Sequence, residues 1–127
     1  MENQNLVYVI DDDELIRSAL DMLLTAEGFV VETYASALDF LRAGPPSGKG
    51  CVLTDVQMPG GLTGIDLLRK IVKRGCSWPV IVMTGQATQR VRETASRLGA
   101  FDFLAKPFGP DALIGTVRNA LESRNAA

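Results

Sequence analysis

Residues 51–60 read CVLTDVQMPG, a short apolar run that ends at Asp55 and is followed by a Pro-Gly pair. The run favours a buried strand and the Pro-Gly pair stops it, so Asp55 is predicted at the carboxyl end of that strand. Open α/β sheets bind their ligands at this end of their strands. A single Asp at such a place is also typical of a turn or a helix cap, so the other strand ends decide between the two interpretations.

Four more strand-like runs alternate with helical patterns along the chain. The predicted strands are Leu6–Ile10, Phe29–Tyr34, Cys51–Asp55, Pro79–Thr84 and Phe101–Ala105, and the predicted helices are Glu14–Glu27, Ala37–Arg42, Ile65–Lys73, Thr88–Leu98 and Pro110–Ser123, with a loop at Gly44–Gly48. Strict alternation indicates a parallel sheet covered by helices on both faces. We therefore expect a single α/β domain, a flavodoxin-like doubly wound (βα)5 sheet with strand order 2-1-3-4-5.

The composition predicts an ordinary globular domain and excludes several classes of function. A chain of 127 residues, 46% of them hydrophobic, is long enough to bury a core without disulfides. Its formal charge of -2 leaves no excess of Lys and Arg, so we expect this domain itself to bind no nucleic acid. The absence of histidine excludes histidine-based catalysis and most zinc sites.

The compartment is predicted from the cysteines and from the apolar runs. Cys51 and Cys76 are isolated from each other, which favours reduced thiols. The first residues do not combine a basic run with a signal-type apolar region, and no stretch of about 18 apolar residues occurs. We expect a cytoplasmic protein without a membrane partner.

Polar side chains stand at the predicted ends of four strands. They are Asp11 and Asp12 after the first strand, Asp55 after the third, Thr84 after the fourth and Lys106 after the fifth. Because the carboxyl ends of parallel strands share one rim, we expect these side chains to meet around a crevice. Three converging carboxylates repel one another, so at least one pKa should rise unless a cation lies between them.

This predicted cluster suits a divalent cation and a phosphoryl group. A small set of carboxylates that leaves coordination positions to water favours Mg2+ over Ca2+. Lys106 adds a fixed positive charge, and the Thr84 hydroxyl can donate to an anionic oxygen. The competing structural interpretation is that Asp11–Asp13 cap the helix that follows and that Lys106 is a solvated charge.

Five fragments of the sequence, in this order and at these separations, resemble the receiver domain of two-component response regulators, particularly the FixJ-like branch of transcription factors. They are Tyr8–Asp13 (YVIDDD), Leu53–Pro59 (LTDVQMP), Val82–Gly85 (VMTG), Gly99–Phe103 (GAFDF) and Lys106–Phe108 (KPF). The resemblance covers nearly the whole chain and implies one receiver domain over residues 1–127. That branch normally carries a helix-turn-helix output domain as well, and we expect it to be absent from this chain.

The resemblance implies that Asp55 is a phosphoacceptor. It would attack a phosphohistidine on a partner histidine kinase and form an acyl phosphate. Asp12, Asp55 and the backbone carbonyl of Gln57 would bind Mg2+ directly, whereas Asp11 would act largely through bound water. We therefore expect no general enzyme, but a protein that catalyses its own phosphotransfer and slow autodephosphorylation.

The resemblance also implies that Lys106 and Thr84 bind the phosphoryl group. Lys106 would neutralise one phosphoryl oxygen, and Thr84 would hydrogen-bond another. The Lys106–Pro107 peptide is expected to be cis, which would turn the ammonium group toward the crevice.

A conformational switch is also implied, in which Thr84 is coupled to Phe103. When the phosphoryl group draws the Thr84 hydroxyl inward, the Phe103 ring turns inward and reshapes the face made by the fourth helix, the fifth strand and the fifth helix. This face is a candidate surface for a homodimer of the phosphorylated form. The plainer interpretation is that Phe103 is an ordinary buried residue and that Arg90, Arg92 and Arg97 form a solvated helix face.

The sequence departs from the family pattern beside the acceptor. Four residues, Gly60–Thr63, separate Pro59 from Gly64 where three are expected, so we expect a displaced loop and a less certain metal geometry near Gln57. Glutamine stands two residues beyond the acceptor and two beyond the switch threonine, at Gln57 and Gln86. Our hypothesis is that these two amides set the lifetime of the phosphorylated form.

Three other functions compete with the signalling switch. An aspartate-nucleophile phosphatase of the haloacid dehalogenase type would carry a second Asp two residues after the nucleophile, where Gln57 stands here. A degenerate receiver that only binds proteins would lack some of the functional residues, yet all of them are present. A nucleotide-binding flavodoxin-like protein would need a glycine-rich turn after its first strand, where Asp11–Asp13 would repel phosphate in the absence of a metal.

Overall fold

Ten elements alternate along the chain in the computed structural model, which describes residues 6–43, 50–58, 62–75, 78–85 and 89–126, with side chains up to residue 123. The strands are β1 (Leu6–Ile10), β2 (Val30–Tyr34), β3 (Gly50–Asp55), β4 (Val80–Thr84) and β5 (Asp102–Ala105). The helices are α1 (Glu14–Ala26), α2 (Ala37–Arg42), α3 (Gly64–Lys73), α4 (Gln89–Arg97) and α5 (Pro110–Ala126). The predicted loop Gly44–Gly48 lies outside the described residues, as do Gly60, Gly61, Cys76 and Gln86.

The strands form one parallel sheet in the order β2-β1-β3-β4-β5. This confirms the predicted flavodoxin-like α/β fold, its strand order and the number of helices. β2, whose mixture of polar and apolar residues suggested a position near an edge, does lie at the edge. No helix of the described residues is both long enough and apolar enough to cross a bilayer.

The predicted element ends are correct to within one or two residues except at α5. Phe29 donates its backbone N–H to the carbonyl of Leu24 at 3.1 Å and so still belongs to the end of α1, which is why β2 begins at Val30. α5 continues to Ala126, beyond the predicted end at Ser123. Helix ends of this kind depend on hydrogen bonds that an apolar pattern does not specify.

Side-chain caps fix the beginnings of three helices. Asp13 caps α1, because its Oδ1 accepts from the backbone N–H groups of Leu15 and Ile16 at 2.9 and 3.2 Å. Ser36 caps α2 in the same way, as the sequence predicted. Thr63 begins α3 with a capping box. The capping interpretation therefore holds for Asp13, which leaves Asp11 and Asp12 for another role.

Two hydrophobic cores cover the two faces of the sheet. The first packs α1 and α5 against β-strand residues such as Val7, Leu53 and Ile81. The second packs α2, α3 and α4 against the opposite face and contains Trp78, whose ring stacks on Tyr8 with centroids 5.1 Å apart. Because β1, β3 and β4 contribute alternate residues to both cores, their ends cannot shift independently.

Gly64 brings the start of α3 against the end of β3. Its backbone N–H donates to the carbonyl of Val56 at 2.9 Å, and a Cβ at this position would overlap the carbonyl oxygen of Asp55. Only glycine allows this close approach of two backbones. The packing of α3 and the position of Asp55 are therefore linked.

We expect Gly64→Ala to destabilise the protein, because the added methyl group must push α3 away from β3. The free energy of unfolding should fall by about 1–3 kcal/mol, the usual cost of overpacking a core. Urea denaturation followed by circular dichroism measures the change.

Gly115→Ala is the matched control, since Gly115 is exposed in α5 and a Cβ there meets nothing within 4 Å. Replacing a helical glycine by alanine should raise the stability by about 0.5–1 kcal/mol. Equal effects of the two substitutions would contradict the close approach at Gly64.

Candidate functional site

Asp55 ends β3, the fully buried central strand of the sheet. All six residues of β3 are buried, and the strand pairs with β1 on one side and β4 on the other. The backbone beyond it is still tied to the sheet, because the N–H of Val56 donates to the carbonyl of Met83 at 2.8 Å. The Asp55 side chain is only 10% exposed. Its carboxylate therefore lies on a rigid element at the rim of the sheet.

Two carboxylates from the end of β1 join Asp55 at this rim. Asp11, Asp12 and Asp55 each offer an oxygen, and these oxygens lie within 4.8 Å of one another. Asp11 and Asp55 are buried, whereas Asp12 is exposed. The site is thus closed on the side of the sheet and open to solvent at Asp12.

Lys106 brings a positive charge into the same cluster from the end of β5. Its Nζ lies 3.5 Å from Oδ2 of Asp11 and 3.5 Å from Oδ2 of Asp55. The side chain is 22% exposed, so these ion pairs are only partly screened by water. The Lys106–Pro107 peptide is cis, which confirms the sequence expectation.

The electrostatics of the site centre on Asp55. Burial raises the pKa of its carboxyl, the Lys106 ammonium lowers it, the Asp11 carboxylate raises it and the N–H of Gln57 lowers it, with a net rise. The sequence argument expected a raised pKa from repulsion among carboxylates. The direction is confirmed, but removal from water is the larger cause and the neighbouring charge of Asp11 is a smaller one.

The two predicted switch residues lie on neighbouring strands. Thr84 is fully buried at the end of β4 and pairs in register with Ala105, while Phe103 pairs with Val82. Phe103 is half-buried and packs at the margin of the second core. The guanidinium of Arg92 in α4 lies over its ring, 4.9 Å from the centroid.

Gln57 is exposed two residues beyond Asp55, the last residue of β3. Its backbone N–H points to Oδ1 of Asp55 at 3.4 Å, a long hydrogen bond. That its carbonyl binds a metal remains a prediction, and so does the hypothesis about the two glutamines, because Gln86 lies outside the described residues. The displacement of the loop with the additional residue also stays a prediction, because Gly60 and Gly61 lie outside the described residues.

Sequence reasoning missed two arginines that contact predicted site residues. Arg17 in α1 donates from Nη1 to the backbone carbonyl of Asp11 at 2.7 Å. The sequence predicts Arg92 only as part of a basic helix surface and does not predict its contact with Phe103. The available signal for Arg17 was its place one turn beyond the cap Asp13, on the helix that begins at the site.

The donor set fits a hard divalent cation. Three carboxylate groups with oxygens this close supply ligands of the type that Mg2+ prefers, and the solvent-facing side leaves room for water ligands. The buried Asp11 and Asp55 carry negative charge that the single ammonium of Lys106 only partly offsets. The arrangement can therefore attract a cation and, next to it, an anionic group that accepts hydrogen bonds.

Most of the chain is similar in sequence to a known protein family. The model of the response regulator receiver domain family matches residues 7–118. The chain is 46% identical over 115 residues to the transcriptional regulatory protein FixJ of Azorhizobium caulinodans, which covers 91% of this chain and 54% of that protein. It is 39% identical to FixJ of Bradyrhizobium diazoefficiens over all 127 residues, or 62% of that protein.

The fold is also similar to that of a solved structure. The crystal structure of FixJ-N superposes with a TM-score of 0.87 at 34% identity and covers 96% of both chains. The full-length FixJ proteins are longer, so the chain spans somewhat more than half of each. The sequence, the sheet topology and these similarities together show that the chain belongs to the response regulator receiver domain family.

Proposed function

We propose that this chain is a phosphorylatable signalling switch of a two-component system, with Asp55 as the phosphoacceptor. The observation that carries the proposal is the convergence of Asp55, Asp11, Asp12 and Lys106 at the carboxyl ends of three strands. A carboxylate that is nearly buried, next to a lysine and open to solvent on one side, suits a nucleophile that takes a phosphoryl group from a partner.

The acceptor chemistry follows from the position of each side chain. An oxygen of Asp55 attacks the phosphorus of a phosphohistidine, the P–N bond breaks, and the imidazole nitrogen leaves with the bonding pair. An acyl phosphate remains on Asp55. Lys106, already 3.5 Å from Oδ2 of Asp55, offsets the charge of one phosphoryl oxygen. Thr84 donates its hydroxyl to another phosphoryl oxygen.

Mg2+ is the proposed cofactor. Asp12, Asp55 and the backbone carbonyl of Gln57 would hold it directly, and Asp11 would hold it through water. When bound, it supplies positive charge that offsets the carboxylates and draws phosphoryl oxygens toward Asp55.

The proposed partner is a histidine kinase, and α1 offers a surface for it. Leu15 and Met22 are 83% and 74% exposed, so α1, which begins at the site, presents two large apolar side chains to solvent. A groove beside them runs along α1 to the segment that carries Lys106, and it is lined by Ile16, Ala19, Leu20, Leu23, Pro107 and Phe108. A kinase helix bound there would bring its phosphohistidine to the rim.

Output is proposed to pass from Thr84 through Phe103 to the face made by α4, β5 and α5. Phe103 is half-buried, so its ring can pack more deeply without crossing the core. Two phosphorylated copies would pair through this face. As a cytoplasmic protein of this family it would regulate transcription through an output domain, because the related FixJ proteins are named transcriptional regulators.

Phosphoryl acceptance is tested with acetyl phosphate and Mg2+, followed by intact-protein mass spectrometry. The wild type should gain one phosphoryl group, and Asp55→Asn should gain none, because the amide is a poor nucleophile. Asp39→Asn, at an exposed carboxylate of α2, is the control and should gain the group as the wild type does.

Other outcomes of this experiment separate the competing functions. A gain that survives Asp55→Asn would place the acceptor elsewhere. Steady release of phosphate from many esters would favour the phosphatase, whereas no gain and no release would favour a module that only binds proteins.

Asp55→Asn should also stabilise the protein at pH 7 in EDTA. Because burial raises the pKa of Asp55, the folded state holds this proton more tightly than the unfolded chain does. The contribution of Asp55 to stability is then greatest below its unfolded pKa and is lost as the pH rises through its folded pKa. Urea denaturation across this range should show the advantage of Asp55→Asn shrinking toward low pH.

Mg2+ should reverse the order of stability of these two proteins. A ligand at 100 times its Kd stabilises the folded state by about 2.7 kcal/mol, and Asp55→Asn removes one of the proposed ligands. A variant that is less stable than the wild type in EDTA would contradict the electrostatic description of the site.

The relay predicts that the ring of Phe103 moves on phosphorylation. A fluorinated phenylalanine at position 103 should change its 19F resonance when acetyl phosphate and Mg2+ are added. Thr84→Val keeps the shape of the side chain but removes the hydroxyl, so phosphoryl acceptance should continue while the 19F change is lost.

Thr33→Val, at an exposed position of the edge strand β2, is the matched control and should leave the 19F change intact. Lys106→Ala should behave like Thr84→Val, with phosphoryl accepted but no movement of the ring. An undiminished 19F change in Thr84→Val would exclude the hydroxyl from the relay.

A further inference from the structure

Arg17 contacts the backbone of the acidic cluster rather than any of its carboxylates. Its Nη1 donates to the carbonyl oxygen of Asp11 at 2.7 Å, a short hydrogen bond in a partly buried position. The backbone of Arg17 is fixed as well, because its N–H donates to the carbonyl of Asp13 at 2.9 Å in the first turn of α1. The Arg17 side chain therefore extends from the first turn of α1, the turn that Asp13 caps.

The carbonyl that Arg17 binds belongs to the peptide between Asp11 and Asp12. Rotation of that peptide plane changes ψ of Asp11 and φ of Asp12 together, and so changes the direction of the Asp12 side chain. A charged donor on the carbonyl oxygen holds the plane in one orientation, and such a bond is stronger than one between neutral groups.

The side chain of Asp11 is held by other groups. Its Oδ1 accepts from the N–H of Asp13 at 2.9 Å, its Oδ2 lies 3.5 Å from Lys106, and its own N–H donates to the carbonyl of Tyr34 at 3.2 Å. Asp12 differs, because its carboxylate is exposed and accepts no hydrogen bond from the described part of the chain. Its orientation therefore depends on the backbone that Arg17 fixes.

We propose that Arg17 is a positioning residue, whose guanidinium fixes the Asp11–Asp12 peptide so that the Asp12 carboxylate faces the cation that it shares with Asp55. This inference rests on the proposed function of the site. Arg17 reaches the cation and the phosphoryl group only through this peptide. Partners that orient a metal ligand typically contribute 10–100-fold to metal affinity, so the contact is large enough to measure.

The charge of Arg17 makes the sign of the effect informative. If the guanidinium acted only as a nearby positive charge, its removal would strengthen Mg2+ binding, because the cluster would become more negative. If it acts by positioning, its removal weakens Mg2+ binding in spite of the lost repulsion. If it only stabilises α1, the folded protein would bind Mg2+ with unchanged affinity.

The test is isothermal titration calorimetry with Mg2+ on the wild type, Arg17→Gln, Arg17→Lys and Arg118→Gln. We expect Arg17→Gln to weaken Mg2+ binding by about 10–100-fold. Arg17→Lys keeps a charged donor and should recover part of this loss. Arg118→Gln is the matched control, because Arg118 in α5 pairs with Glu27 at 2.9 Å and contacts no residue of the cluster, so Mg2+ affinity should stay at the wild-type value.

Urea denaturation in EDTA supplies the measure of a purely structural role. A loss of stability in Arg17→Gln with unchanged or tighter Mg2+ binding would overturn the inference, and so would equal effects of Arg17→Gln and Arg118→Gln on Mg2+ affinity.

Failure of the proposed function is a different result, since the wild type itself would then bind no Mg2+ or accept no phosphoryl group. If Arg17→Gln does not fold, an Mg2+ affinity of Arg17→Lys equal to that of the wild type overturns the inference, and a reduced affinity supports it.

Discussion

The structure depends on keeping two carboxylates, Asp11 and Asp55, in a largely dry position at the rim of the sheet. Both are buried, and their oxygens lie close enough to share a cation. Ionised carboxylates in such a place are costly unless positive charge and hydrogen bonds compensate for the lost water. Lys106 supplies one charge, and the backbone N–H groups of Asp13 and Gln57 supply two donors. The remaining excess of negative charge favours the approach of a cation, in line with the proposed Mg2+.

Tight packing around β3 holds these carboxylates in place. β3 is buried along its whole length between β1 and β4, and α3 begins in contact with its last carbonyl. The Asp55 carboxylate therefore cannot move toward water to lower its electrostatic cost. The neighbouring strand ends are tied together as well, because the backbone N–H of Lys106 donates to the carbonyl of Thr84 at 2.8 Å while its Nζ lies 3.5 Å from Oδ2 of Asp55.

Much of this could be predicted from the sequence because the relevant signals are local. Apolar runs such as Leu6–Ile10 and Cys51–Asp55 specify strands, and a parallel sheet necessarily brings their carboxyl ends together, which places Asp11, Asp55 and Lys106 at one rim. The contacts of Arg17 and Arg92 could not be predicted in this way. A long side chain on a helix surface can reach several neighbours, and its partner depends on the rotation of the helix against the sheet. The main cause of the raised pKa of Asp55 is also not predictable from the sequence, since burial depends on packing in three dimensions.

Trp78 lies at the opposite end of the sheet from the acidic rim. It is the single tryptophan of the chain, it stacks on Tyr8, and it comes just before β4, whose far end carries Thr84. A five-residue strand separates the two ends by on the order of 13 Å at about 3.3 Å per residue. The intrinsic fluorescence of this protein therefore reports on the packing of the second core rather than directly on the acidic rim, and a probe introduced near Asp55 would be needed to observe the rim itself.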